Sequence, residues 1–191
     1  MKWVTRERPK VDRIACPWLI RRFIDPDAQI VYVPAEQVIS VAEADNGYSF
    51  DTKGATYSHR KQADGSEWCT FETLIHEHHL DGDPALMELA RIVHAADIST
   101  DTDSHPFGAA LRAIGDAGSA VENNDQTLLE RALFVYDALY ANAQRHTRRA
   151  SDTDCRGDRR AHESHTLKPD RGWAGPTRGE DGVRRGGGGL R

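Results

Sequence analysis

The sequence predicts an α+β domain in which a small sheet from the N-terminal third packs against a helical C-terminal half. Up to about residue 60, short runs of β-branched and aromatic residues alternate with turn signals. From about residue 70 onward, apolar residues recur at helical spacing. After residue 145 this spacing is lost and the chain becomes rich in Gly and Arg, a composition that cannot offset its ordering entropy by burial. We therefore expect one domain over 1–145 and a disordered tail over 146–191.

Short strands and one early helix are expected in the first third of the chain. The alternation over Lys2–Thr5 predicts a strand, and Asp12 is a suitable cap for a helix that runs to about Ile24. Pro17 is easiest to place in the first turn of that helix. The next expected elements are a strand over Gln29–Val33, a short helix over Ala35–Ala44, strands over Tyr48–Phe50 and Ala55–His59, and a polar loop over Lys61–Glu67.

Four helices are expected in the second half. Thr70 is a suitable cap for the first, and Asp83 followed by Pro84 marks the start of the second. Two more helices are expected over Phe107–Ile114 and from Asn124 or Asp125 onward.

Composition argues against several classes of protein. The chain has 25 Lys and Arg against 30 Asp and Glu, a net charge of −5, and no recognisable helix-turn-helix, so direct DNA binding is not expected. No apolar run approaches the ~20 residues of a membrane helix, and the N-terminus lacks the apolar core of a signal peptide. Cys16, Cys69 and Cys155 form no close pair, which argues against a disulfide framework and indicates a reducing cytoplasm.

Positive charge is concentrated at the start of this acidic protein. Arg6 and Arg13 flank the end of the first expected strand and the start of the first helix. A helix N-terminus and guanidinium groups both favour an anion, which indicates a small oxyanion site. Further candidates for that site are Arg8, Lys10 and Cys16. The Cys16 thiol would be reactive at such a position, and the alternative is that Cys16, like most lone cysteines, is a small buried hydrophobe. The alternative is ordinary solvated charge, or pairing of Arg13 with an acidic residue.

A second candidate site, for a metal ion, combines His59, Glu72, His94 and Asp97. His94 and Asp97 are three residues apart and share one face if the helix continues. His59 ends an expected strand and Glu72 opens a helix, so both could complete the site in space. Imidazole and carboxylate ligands suit Fe, Mn or Zn. The alternative is a set of ordinary hydrogen-bonded histidines and solvated acids.

The stretch WVTRERPKVDRIACPWLIRRFIDP, residues 3–26, resembles the C-terminal domain of the ChrB-type chromate resistance proteins. The similarity covers about residues 2–141. It continues in order through Tyr32–Ala35, Phe50–Asp51, Tyr57–His59, Cys69–Glu72, Asp83–Leu86, Ile92–Val93, Ala96–Asp97 and Tyr136–Tyr140.

The resemblance implies a role in chromate sensing and resistance, as part of a stress response. Chromate is a tetrahedral dianion much like sulfate, so the resemblance favours an oxyanion site at Arg6, Arg13 and His59. Longer members resemble regulators with a DNA-binding domain ahead of this one, whereas this sequence starts directly at the first expected strand. A metal-dependent redox or hydrolytic enzyme, with a divalent ion at the His/carboxylate set, is the alternative. Action through a protein partner or a homo-oligomer stays open.

His59 belongs to both candidate sites, and its neighbours decide its role. Surrounded by Arg6 and Arg13 it would have a lowered pKa, and chromate affinity would strengthen as pH falls from about 7.5 to 6. Surrounded by Glu72 and Asp97, it would be a metal ligand, and metal affinity would weaken as pH falls over the same range, because protons compete with the metal.

Overall fold

The computed structural model describes the backbone of residues 1–163 and the side chains of residues 1–148. The chain divides into two units, Met1–Asp152 and Thr153–Arg191. Apart from the end of the last helix, everything described below belongs to the first unit.

A three-stranded parallel sheet forms the N-terminal part, as the sequence predicts. Strand β1 (Lys2–Arg6) lies between β2 (Gln29–Val33) and β3 (Tyr48–Ser49). Successive side chains of a strand point to opposite faces. Accordingly, Trp3 is buried in the main core, whereas Val4 is buried in a smaller cluster under the helix α2 (Val38–Ala44). The centre of the sheet is therefore covered on both faces.

The first helix, α1 (Asp12–Leu19), continues as a π-helical turn over Ile20–Ile24, so the predicted helical span is confirmed. Pro17 lies inside α1 rather than in its first turn. A proline cannot donate to the carbonyl four residues earlier, which is that of Arg13. The Tyr32 hydroxyl of β2 donates to this carbonyl instead, at 2.8 Å. A tertiary contact thus replaces the missing helical hydrogen bond.

The segment between β3 and the third helix departs from the expected strands. Between β3 and β4, strand pairing is limited to one bridge, which joins Phe50 and Tyr57. The chain turns here because Asp51 and Gly54 adopt positive φ values of 51° and 81°. The expected loop that follows contains a hairpin whose two strands, β4 (Arg60–Lys61) and β5 (Glu67–Trp68), have two residues each. Before β3, the expected helix consists of a 3₁₀ turn (Ala35–Gln37) followed by α2 (Val38–Ala44).

The helical second half is confirmed, with some boundaries moved. Helix α3 (Thr70–Glu77) is capped by Cys69 and Glu72 rather than by Thr70. Helix α4 (Pro84–Asp97) begins as predicted, because Asp83 accepts hydrogen bonds from the N–H groups of Ala85 and Leu86. The remaining elements are a 3₁₀ turn (Ser99–Ser104), α5 (Gly108–Val121) and α6 (Asp125–Glu163).

Helix α6 continues beyond the predicted domain end at residue 145. Residues 164–191 lie outside the described part of the chain, so the disordered tail stays a prediction there. Within the described residues, no helix combines the length and apolarity needed to cross a membrane.

The main core lies between the sheet and the helices. Its largest fully buried side chains come from β1, α1, α3, α4, α6 and the segments joining them: Trp3, Trp18, Phe50, Phe71, Leu19, Ile20, Leu74, Ile75, Leu86, Leu89, Ile92 and Leu129.

Candidate functional site

Charged side chains converge at the carboxyl edge of the parallel sheet. Arg6 is the last residue of β1, and Asp51 follows β3. Helix α1 starts near this edge with Asp12 and Arg13, and α4 ends there with Asp97. This edge is where open parallel sheets usually bind ligands.

Asp51 holds both arginines of the predicted oxyanion site. The Nε of Arg6 donates to the Asp51 carbonyl oxygen at 2.9 Å, and its Nη2 donates to Asp51 Oδ2 at 3.1 Å. The Nε of Arg13 lies 3.2 Å from the same carboxylate oxygen. Arg13 is largely buried and also donates from Nη1 to the carbonyl of Glu7. Arg6 is 38% exposed, and its Nη1 makes no hydrogen bond to any described residue. Of the two arginines, only Arg6 can therefore reach a ligand from solvent.

Carboxylates surround the ring of His59. Its Nε2 lies 3.1 Å from Asp97 Oδ2 and 3.6 Å from Asp12 Oδ2, and its Nδ1 lies 3.3 Å from Glu67 Oε1. Interaction with Asp12 and Asp97 raises the pKa of His59 to about 11, although partial burial acts in the opposite direction. In the absence of another cation the imidazole is therefore protonated at neutral pH.

Arg6 and Arg13 do not set the pKa of His59, so the condition under which they would lower it is not met. The physical reason is that Asp51 binds both guanidinium groups, whereas Asp97 and Asp12 approach the imidazole. Of the two surroundings considered for His59, the acidic one is present, with Asp12 in the place expected for Glu72.

Asp12 is the most deeply buried charged group of the cluster. Its side chain is 1% exposed, and Oδ2 accepts a hydrogen bond from the backbone N–H of Thr70 at 2.7 Å. The other oxygen, Oδ1, has no hydrogen-bond partner among the described residues. Burial, followed by repulsion from Asp97, raises the pKa of Asp12 to about 7. A buried carboxylate oxygen without a partner is costly and calls for an explanation.

Glu72 and His94 form a separate cluster. The Nδ1 of His94 lies 2.7 Å from Glu72 Oε2, and its Nε2 lies 2.9 Å from Asp101 Oδ2. Glu72 also accepts the Cys69 N–H as part of the cap of α3. Burial lowers the pKa of His94, but the hydrogen bonds to Glu72 and Asp101 outweigh it and the net shift is upward. The structure thus joins His59 to Asp97 and places Glu72 with His94 elsewhere.

Several residues of the cluster were not identified from the sequence. Asp12 was interpreted as a helix cap, but its carboxylate accepts from Thr70 of a different helix. Asp51 and Glu67 were given no role. A usable signal existed for Asp12, because it stands between the apolar residues Val11 and Ile14 at the start of a helix with a buried face.

The contacts of Arg8 and Lys10, two further candidates for the oxyanion site, lie outside the cluster. The backbone N–H of Arg8 donates to Asp125, and Lys10 pairs with Asp116 at 2.8 Å. Cys16 is fully buried, and burial raises the pKa of its thiol, so of its two alternatives the small buried hydrophobe is present and the reactive thiol is not.

A cleft of about 400 Å³ opens beside the cluster. Three cationic side chains and one carboxylate contribute to its wall, so the lining carries net positive charge while His59 is protonated. The lining residues are Arg6, Asp51, Thr52, Lys53, Gly54, Ser58 and His59.

Comparisons with known proteins identify the family of this chain. The family model described as "ChrB, C-terminal domain" matches residues 3–143. The chain belongs to this family. Protein ChrB of Cupriavidus metallidurans strain CH34 is 33% identical over 141 residues, which is 74% of this chain and 40% of that relative. The chain therefore spans about two fifths of the length of that ChrB protein. No solved structure matches.

Proposed function

We propose that this ChrB-family chain acts in chromate resistance by binding chromate, a tetrahedral oxyanion, in the cleft at the carboxyl edge of the sheet. Membership of the family supports the connection with chromate. The single observation that carries the binding proposal is the cleft itself, which has Arg6, Lys53 and His59 in its wall. Guanidinium and ammonium groups are the side chains that recognise tetrahedral oxyanions most strongly.

Arg6 is the side chain that binds the anion directly in this proposal. Two of its nitrogens are anchored on Asp51, which fixes the plane of the guanidinium, and Nη1 stays available. Arg13 acts as a positioning residue, because it neutralises and holds Asp51 from the buried side. Lys53 adds a second solvent-exposed cation.

His59 contributes charge to the cleft rather than a free donor. Both of its ring nitrogens already face carboxylates, at 3.1 Å and 3.3 Å. With a pKa near 11 it keeps its proton between pH 6 and 7.5. We therefore expect the affinity for the oxyanion to depend little on pH over this range, instead of strengthening as pH falls. Because chromate itself takes up a proton in mildly acidic solution, this dependence is best measured with sulfate.

Isothermal titration with chromate and with sulfate tests the proposal. Arg6→Gln removes a charged donor and should weaken the Kd for chromate by about 10- to 100-fold. Arg91→Gln is the matched control, since Arg91 pairs with Glu88 on α4 and does not line the cleft. The control should bind chromate as the unsubstituted protein does. Equal Kd values for the Arg6 variant and the unsubstituted protein would overturn the proposal.

The expectations about partners remain predictions. Net negative charge argues against direct DNA binding by this chain, and a gel shift with the isolated protein is the measurement that would contradict it. Action through a protein partner or a homo-oligomer, and a cytoplasmic location, have the same status.

A further inference from the structure

We propose that Asp12, His59 and Asp97 bind a divalent first-row metal ion of the Mn²⁺, Fe²⁺ or Zn²⁺ class beside the cleft. This site shares His59 with the oxyanion cleft but uses neither Arg6 nor Lys53, so the two proposals can be tested separately. It also differs from the metal set expected from the sequence, because Asp12 takes part whereas Glu72 and His94 do not.

The separations between the donor atoms match those of a metal centre. One ligand atom each from Asp12, His59 and Asp97 can be chosen so that all lie within 4.8 Å of one another. The Nε2 of His59 is 3.1 Å from one carboxylate and 3.6 Å from the other. Two ligands about 2.1 Å from a tetrahedral ion would be about 3.4 Å apart. An ion can therefore take the place of the proton on Nε2 with little movement of the ligands.

The unpartnered oxygen of Asp12 is an independent indication of a ligand. The side chain is 1% exposed, so solvent cannot satisfy Oδ1, and no described residue does. Buried charges are normally paired or coordinate metals. A cation bound by this carboxylate would supply the partner that its buried oxygen lacks among the described residues.

The surroundings of the three ligands hold them as outer-shell partners do in known metal sites. Glu67 faces the Nδ1 of His59 at 3.3 Å, which is the arrangement that fixes the tautomer with Nε2 free for a metal. The backbone N–H of Thr70 holds Asp12 Oδ2 at 2.7 Å. Ligand orientation is thus set before any ion arrives.

The donor set defines the class of metal. Two carboxylates and one imidazole suit Mn²⁺, Fe²⁺ and Zn²⁺, and the absence of sulfur from the group disfavours Cu⁺. Three protein ligands leave at least one coordination position of a tetrahedral ion for water or an anion.

Titration of the metal-stripped full-length chain with Zn²⁺ and Mn²⁺, in buffer free of oxyanions, tests the inference. Asp12→Asn and Asp97→Asn should each weaken the tightest Zn²⁺ site by at least about 100-fold, the upper end of what loss of an outer-shell partner costs. His94→Gln is the matched control and should leave this site unchanged. Zn²⁺ affinity equal to that of the unsubstituted protein in the Asp12 and Asp97 variants would overturn the inference, and so would loss of the site in the His94 variant.

A second measurement needs no substitution at the site. In NMR spectra of the unsubstituted protein, substoichiometric Mn²⁺ should broaden the ring resonances of His59 before those of His94. Broadening of His94 first, or of the half-buried His76 and the exposed His79 with His59 unaffected, would contradict the proposed site. The two proposals fail separately: Arg6→Gln should retain Zn²⁺ binding, and chromate titration of the metal-free protein reports on the cleft alone.

Discussion

Two histidines of this protein are each held between carboxylates, yet the two clusters differ in how completely their atoms are satisfied. His94 has one carboxylate on each ring nitrogen, Glu72 at 2.7 Å and Asp101 at 2.9 Å. His59 has longer contacts of 3.1 to 3.7 Å to four carboxylates, and one of these, Asp12, keeps a buried oxygen without a described partner.

The difference separates a structural ion pair from a candidate ligand site. A protonated imidazole can donate only two hydrogen bonds, and the His94 cluster uses both with short distances. Around His59 the acceptors outnumber the donors, so a proton alone leaves part of the cluster unsatisfied. The same residue types therefore have different uses, and the number and burial of the carboxylates distinguish them.

The largest expected effect on the stability of the metal-free protein comes from replacing His59, and the same replacement at His94 provides the comparison. His59→Gln leaves the buried carboxylate of Asp12 without the imidazolium that lies 3.6 Å from it and should lower the free energy of unfolding by about 2–4 kcal/mol. His94→Gln should cost only about 1 kcal/mol, because Asp101 is 47% exposed and Glu72 keeps its bond to Cys69. Urea denaturation measures both, and equal costs would remove the distinction between the clusters.

A smaller effect is expected from the outer carboxylate of each cluster. Glu67→Gln should weaken Zn²⁺ binding by about tenfold, since Glu67 orients the ring that supplies the metal ligand. Asp101→Asn makes the equivalent change on His94 and should leave the Zn²⁺ affinity unchanged. Zinc titrations of the two variants provide the comparison. Weaker Zn²⁺ binding by the Asp101 variant would indicate that the metal binds at His94 and not at His59.

The smallest effect is the pH dependence of the His94 contribution. Hydrogen bonds to Glu72 and Asp101 raise the pKa of His94 despite its burial. A histidine with a raised pKa in the folded state adds stability that is complete below the unfolded value of about 6.5 and is lost as pH rises through the folded value. The difference in unfolding free energy between the unsubstituted protein and His94→Gln should therefore shrink from pH 6 to pH 9. A difference that grows with pH would show that the pair does not favour the charged ring.

Features that depend on neighbours along the chain were predicted well. The start of α4 is an example, because Asp83 caps N–H groups only two and three residues ahead. The β1 and β2 strands and the helical span after Asp12 were also predicted. The hairpin of β4 and β5 was missed: each strand has only two residues, and Trp68 packs against His76 of α3 with ring centroids 4.0 Å apart. No periodicity can be read from so short a segment.

The sequence by itself determined the fold class and most element positions. Only the tertiary structure decided which acid faces which base. Asp12 and Thr70 are 58 residues apart, and their contact depends on how α1 packs against α3. Glu72 was within the predicted metal set, but its carboxylate contacts the Cys69 N–H, in the cap of its own helix, and the ring of His94. Local hydrogen bonds leave a pattern in the sequence, whereas the choice among thirty acidic residues for one buried imidazole is made by packing.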